Sequence, residues 1–281
     1  MNIIKSYINN KKTYLKLLFT MSSKHFLELH KIRSCWPTKL IYGIPLSELM
    51  LKKNSISSKY KNVLKNSVNI DPDLIDFIFF LVDNQNLSLE TAEASAIILQ
   101  YYIKNTKNIN KYNLQLITMV SVFICSKIFD IKRFTLAHLH QISEYKYNNK
   151  MVMKCEFDIL KTLNYDIFLR DNTLVNKVGL YLETVKDFFE RKDFNILEET
   201  THQFIKLLYS DMKLIKNYGI DFLSVGIIQA AFMMCSMEEG KTPLLLKISL
   251  LSGFKEEEIC LGAKKIIKSV LGNDVYKMFN F

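Results

Sequence analysis

Two charged side chains, Lys127 and Glu156, stand out by their setting. Lys127 lies where an uncharged run ends: from Leu114 to Cys125 there is no charge, and apolar side chains fall on every face of a helix rather than on one stripe. A soluble helix of that kind has to be sheathed by other helices, and the run is shorter than the ~20 residues of a membrane span. A lysine in the last turn also suits the helix dipole and can cap terminal carbonyls, so taken alone it has a purely structural reading. Glu156 follows 29 residues later, within M-V-M-K-C-E-F-D-I-L-K-T-L-N-Y-D-I, residues 151–167. The ammonium only donates hydrogen bonds and the carboxylate only accepts them. Together they suit recognition of polar groups rather than bond making.

Bond-making patterns are missing from the rest of the sequence. The histidines (25, 30, 138, 140, 202) form no H-E-x-x-H and no metal-ligand array, and His138 and His140, two apart on a helix, face different ways. There is no glycine-rich phosphate loop, no G-x-S-x-G and no paired cysteine motif. The cysteines (35, 125, 155, 235, 260) have no C-x-x-C spacing, and their odd number without a secretory signal fits a reducing compartment. Glu256-Glu257-Glu258 reads as a helix start, where carboxylates complement the dipole. The expectation is a non-enzymatic protein with no cofactor and no metal.

The elements that must position the pair are helices. Of 281 residues 49% are hydrophobic and 23% charged, and only eight glycines and four prolines interrupt them, which favours helices joined by short loops over sheet. Asp71-Pro72 is a helix start, a capping side chain followed by proline in the first turn, and Asn84-Gln85-Asn86 is its end. Ala94 to Ile103 is apolar at helical spacing; residues 112–128 form the central helix, Phe134 to Ile142 a fourth and Asn148 to Leu163 a fifth. After Phe168 the pattern restarts. Residues 173–189 and 198–214 read as helices, 222–236 is again apolar on all sides, and Phe254 to Leu271 closes the chain. Cys125-Ser126 and Cys235-Ser236 end the two central helices, a spacing of 110 residues that marks a duplicated domain and not a solenoid. Where the first copy has Lys127 the second has Met237, and the second keeps neither charge. A requirement of the fold would be expected in both copies.

Charge divides the chain differently. Net charge is +10, but residues 1–66 alone carry +11 and the remainder −1. The basic segment reads as an extension, with a short helix after Pro45 (Leu46, Leu49, Met50), suited to a localisation signal, an acidic partner or a solvated lead-in. Leu15-Lys16-Leu17-Leu18-Phe19 is too short and too lysine-interrupted for a signal h-region. A soluble protein of nucleus or cytoplasm is expected, with no membrane partner. With four arginines and a neutral remainder, base-specific DNA recognition is disfavoured.

The stretch 112–168 resembles the core of a cyclin box: L-Q-L…F-I-C-S-K, then I-S-E-Y-K-Y…M-K-C-E-F-D-I-L-K-T-L-N-Y-D-I. Cyclins carry Ser-Lys at the end of the third helix and Glu in the fifth at the same separation. The resemblance implies two tandem five-helix folds, all-α: an N-terminal extension 1–66, a first box 67–168 and a second fold 169–281, with a cell-cycle A/B-like rather than transcriptional character. It implies a regulatory subunit that binds and activates a cyclin-dependent protein kinase. Lys127 and Glu156 would grip kinase backbone carbonyls and amides, surrounded by Ile124, Ile128, Leu160, Tyr165 and Ile167. It also implies a groove for substrates with short docking motifs at Ile70, Leu74, Phe77, Leu114 and Gln115.

Several positions depart from the family pattern. The acidic pair after Ser-Lys is Phe129-Asp130 here. Ile70-Asp-Pro-Asp-Leu74 replaces M-R-A-I-L, and the family's Arg–Asp pair falls on Asp71 and Gln100. The first 66 residues hold no R-x-x-L or K-E-N degradation motif. Two alternatives stand beside the kinase reading: a general transcription factor that uses paired cyclin folds to hold DNA, and a cyclin-fold scaffold that binds no kinase. The lone cysteine before residue 67 cannot build the zinc ribbon usual in the first of these.

Overall fold

A computed structural model describes residues 71–106, 109–167, 173–210, 212–235 and 241–272. The expected basic extension, its short helix, Ile70, Met237 and Phe168 lie outside them. Every regular element among the described residues is helical: α1 (Pro72–Asn84), α2 (Leu89–Asn105), α3 (Lys111–Phe129), α4 (Leu136–Ile142), α5 (Asn149–Thr162), α6 (Leu174–Val185) with a 3-10 turn at Lys186–Phe188, α7 (Arg191–Ser210), α8 (Met212–Asn217), α9 (Ile220–Met234), α10 (Lys241–Ser252) and α11 (Glu256–Leu271).

Local sequence sets five of the described helix starts. The Asp71 carboxylate accepts from the Asp73 amide at 3.1 Å with Pro72 in the first turn, where a missing N–H costs nothing. Ser88, Thr135, Asn148 and Thr173 cap α2, α4, α5 and α6 in the same way. Asp71 and Gln100 form no counterpart of the family's Arg–Asp pair: Asp71 is an exposed cap and Gln100 is buried on α2.

Helix α3 is the axis of the first group, packed by α1, α2 and α5. Every residue from Leu116 to Ser126 is buried. The hydroxyls within that run return to the helix itself: Thr118 donates to Leu114 O at 2.7 Å, Ser121 to Ile117 O at 2.9 Å and Ser126 to Phe123 O at 3.1 Å. Polar side chains thus cross the core without orphaned donors. Helix α9 plays the same part among α6, α7, α10 and α11. Gly226 allows the tight contact there, since a Cβ would come within 2.9 Å of Ile266 Cδ1 on α11.

Three features differ from the sequence reading. α7 begins at Arg191, seven residues before the expected Glu198, because its first turn is charged and lies ahead of the apolar stripe. A short α8 follows it, an additional element beyond five in the second group. α10 was assigned to no helix from sequence; it carries Pro243 in its first turn, where proline is tolerated.

The two groups are joined by a buried carboxyl. Glu93 on α2 is fully buried; its Oε1 accepts from the Leu174 amide at 2.5 Å and the Tyr209 hydroxyl at 2.5 Å, and its Oε2 from the Val175 amide at 2.8 Å. Leu174 and Val175 open α6, so the carboxyl satisfies two of the amides a helix start leaves without partners. Lys206 on α7 adds an ion pair to Asp83 on α1 at 2.7 Å, and Phe79 meets the Tyr209 ring at 6.2 Å between centroids.

Burial pushes the Glu93 carboxyl up to about 7, against the pull of Tyr209 and the two amides, with Glu90 adding like charge. A carboxyl raised above its ordinary 4.5 binds more protons folded than unfolded between 4.5 and 7. Its contribution to stability is therefore full below 4.5 and falls as pH rises to about 7, by an amount of order 3 kcal/mol. His202, lowered to about 4 mainly by burial and then by Lys206, gives the opposite slope in an overlapping window, so Glu93 is read by difference. Glu93→Gln is expected to destabilise by about 1–3 kcal/mol, because the amide offers one acceptor oxygen where two helix amides need one each. It is also expected to remove the downward component between pH 4.5 and 7. Urea unfolding of parent and variant across that range measures both, and parallel pH curves would disprove the assignment.

Candidate recognition face on α3 and α5

The end of the buried run fixes Lys127. It is the first exposed residue after Ser126, in the last turn of α3. The loop that follows is tied down by Asp130, whose Oδ1 accepts from the Ser88 amide at 2.8 Å and whose Oδ2 accepts from the Thr91 hydroxyl at 2.5 Å. The Phe134 amide donates to Ser126 Oγ at 3.1 Å. The single carboxylate left of the family's acidic pair therefore anchors the exit of α3 to the start of α2.

Lys127 Nζ lies 2.5 Å from Glu156 Oε1 and 3.7 Å from the centroid of the Phe123 ring. The ring face attracts the cation, and Glu156 comes from the middle of α5, packed beside α3. The two side chains are 36% and 21% exposed. A pair this open to solvent contributes about 0–1 kcal/mol to folding, and Lys127 keeps further N–H groups for other acceptors.

Apolar side chains surround the pair. Met153, Glu156, Phe157 and Leu160 follow the i, i+3, i+4, i+7 spacing of one helix face. Met153 is 62% exposed, Phe157 53%, Ile128 41% and Tyr165 59%, while Leu160 and Ile167 are half-buried. Ile124 lies in the core instead, because it sits within the sheathed part of α3. Met153, Phe157 and the exposed Ile131 were not singled out from sequence, although Met153 and Phe157 follow from Glu156 by helical spacing. Tyr165 is held outward by the exit from α5: Asn164 and Tyr165 both have φ in the left-handed region (53° and 59°), and the Tyr165 amide donates to Leu160 O at 2.8 Å. Such a φ is uncommon for a bulky residue.

The residues expected to form a docking groove are placed differently from one another. Phe77 is buried, 6.3 Å from the Phe80 ring, whereas Leu74, Leu114 and Gln115 are half-buried. Gln115 Oε1 accepts from the Tyr147 hydroxyl at 3.1 Å. His138 and His140 serve local structure: His138 Nδ1 accepts from the Thr135 amide, and His140 Nε2 lies 2.6 Å from Asn149 Oδ1. Among the described residues no group of three or more His, Cys, Asp or Glu could hold a metal ion, and no described helix is long and apolar enough to cross a membrane.

Comparison with known proteins bears on this architecture. Residues 46–168 match the family model of the cyclin N-terminal domain. The match ends where the sequence reading ends its first box, and it begins earlier, near the segment following Pro45. The G1/S-specific cyclin CLN3 of Saccharomyces cerevisiae is 25% identical over 209 residues, which is 69% of this chain. The chain spans about a third of that relative's length, 34%. The X-ray structure of a viral cyclin from herpesvirus saimiri shares the fold, with a TM-score of 0.62 at 18% identity over 80% of this chain and 97% of that one. Residues 46–168 are thus similar to a cyclin N-terminal domain, the described residues are all-α, and these likenesses support the cyclin family.

Proposed function

We propose that this chain is the regulatory subunit of a cyclin-dependent protein kinase, binding and activating it through the face formed by α3 and α5. The observation that carries the reading is the meeting of Lys127 and Glu156 at 2.5 Å amid exposed Ile128, Met153, Phe157 and Tyr165. The ammonium donates to backbone carbonyls of the partner and the carboxylate accepts from its amides, so the partner is read by its backbone rather than by particular side chains. Each charge-assisted bond is worth about 1.5–3 kcal/mol, too little to hold a complex alone. Burial of the apolar rim supplies the rest, at roughly 25 cal/mol per Å² removed from water.

Two cyclin folds, residues 67–168 around α3 and 169–281 around α9, complete the proposal; the ordering of one buried helix among its neighbours recurs in both. Likeness to a G1/S-specific cyclin supports a cell-cycle role. The finer A/B-like reading rests on the resemblance alone; docking of substrate motifs would use Ile70, Leu74, Phe77, Leu114 and Gln115, of which Ile70 lies outside the described residues and Phe77 is buried. The near-neutral charge beyond residue 66 weighs against the DNA-holding alternative.

Lys127→Ala, Glu156→Ala and the double variant are expected to change unfolding free energy by about 1 kcal/mol or less. Each single change is expected to weaken kinase affinity by about 2–5 kcal/mol, since the remaining groups are left unpaired when the interface closes. Thermal unfolding and calorimetric titration with a purified cyclin-dependent kinase measure the two. A large fall in unfolding temperature with unchanged affinity per folded molecule would make the pair an internal strut and remove the proposal.

Phe157 gives an independent check. Being half exposed, Phe157→Ala is expected to leave folding within about 1 kcal/mol of the parent and to weaken kinase binding by about 2 kcal/mol, as for an anchor at the centre of an interface. Unchanged affinity would place the kinase elsewhere.

A further inference from the structure

The exposed face of α11 has a pattern that its role in the fold does not require. Ile259, Gly262, Ala263, Ile266 and Ile267 are buried, as a helix packed on α9 and α10 demands. On the opposite side Leu261 is 59% exposed. Carboxylates at the start of a helix suit the dipole, which accounts for Glu256, Glu257 and Glu258; Lys264 and Lys265 lie before the last turn, so neither they nor the leucine follow from it. Glu257 stands four residues before Leu261 and Lys265 four after; Glu258 stands three before and Lys264 three after. None of Glu257, Lys264 and Lys265 forms an ion pair among the described residues.

Leu261 lines one side of an open cleft of about 370 Å³, whose other walls are Tyr218, Phe222, Phe254 and Gly262 with Glu258 and Lys265. The aromatic walls are braced: Phe222 stacks on Tyr218 at 5.3 Å and meets Phe254 edge-on at 5.2 Å. Gly262 lets Phe222 lie against α11, since a Cβ there would fall 2.5 Å from the ring. The cleft is large enough for an aliphatic side chain, and the same surface presents one.

We propose that this face binds a second copy of the chain, with the two α11 helices antiparallel about a two-fold axis near Leu261. Glu257 of each copy then faces Lys265 of the other, Glu258 faces Lys264, and each Leu261 enters the partner copy's aromatic cleft. A two-fold contact has to be self-complementary, and this register meets that condition in charge and in shape. A single helix pair lies at the small end of interface sizes, below ~1,200 Å², so the association is weak and reads out at roughly 100 µM.

The test is sedimentation velocity of the full chain from ~10 to 300 µM. A concentration-dependent monomer–dimer equilibrium that weakens with added salt is expected. Leu261→Glu, at an exposed position, should keep the parent melting temperature and kinase affinity while weakening dimerisation at least tenfold. Glu257→Lys/Glu258→Lys and Lys264→Glu/Lys265→Glu should each dimerise poorly alone and associate when mixed. A parent that stays monomeric at 300 µM, a Leu261→Glu protein that dimerises like the parent, or mixed charge variants that fail to associate would each overturn the proposal. Protection of Leu261 only when kinase is added would assign the face to a different partner and overturn it too.

Discussion

The structure depends on one constraint: the uncharged segment of α3 has to be covered on every side. From Leu116 to Ser126 every residue is buried, and α1, α2 and α5 are arranged as the cover. The next residue is Lys127. Its ammonium is placed by the length of the buried run, which determines where the helix may first expose a charge. Asp130 then holds the departing chain against Ser88 and Thr91, so the end of α3 is fixed to a neighbouring helix start. The candidate face is thereby built on rigid elements rather than on a loop, a condition for placing a donor and an acceptor within hydrogen-bonding reach of a partner's backbone.

What could be read from sequence follows from how local its cause is. The start of α1 is decided by Asp71 and Pro72 alone, and both central helices by the absence of charge, so these were legible. The Lys127–Glu156 pair was legible only through the resemblance of residues 112–168 to a cyclin box, and the structure brings the two within 2.5 Å. The start of α7 was not, because its first turn is charged, and α10 was not, because its apolar residues do not gather on one stripe. Glu93 escaped notice for a different reason: its partners are backbone amides 81 and 82 residues away. No side-chain pattern records an amide. Ile124, which the resemblance placed around the pair, falls within the sheathed part of α3 and is buried.

Glu93 and Glu156 show how setting divides one chemistry into two uses. Both accept from nitrogen at about the same distance. Glu93 is fully buried, so its interactions act at full strength and any change to them is felt by the whole fold. Glu156 remains partly exposed, where an ion pair is nearly neutral for stability. Only the second kind of carboxylate can be given over to a partner without loosening the protein, because solvent already competes for it.

The charges on α11 differ from the Lys127–Glu156 pair in a way that bears on partner choice. Lys127 and Glu156 neutralise one another within one molecule, so what they offer a partner is residual hydrogen-bonding capacity, suited to uncharged backbone groups. Glu257 and Lys265 are eight residues apart along a helix, about 12 Å at 1.5 Å per residue, too far to pair with each other. Both are exposed and hydrated in the free chain, and in the proposed dimer each meets opposite charge on a surface with the same spacing in reverse order. An antiparallel copy of the same helix has that spacing by construction, whereas the backbone reading proposed for the pair on α3 and α5 sets no such condition of symmetry. On the two proposals, the face on α3 and α5 takes a backbone with no condition of symmetry, and the face on α11 takes a copy of itself.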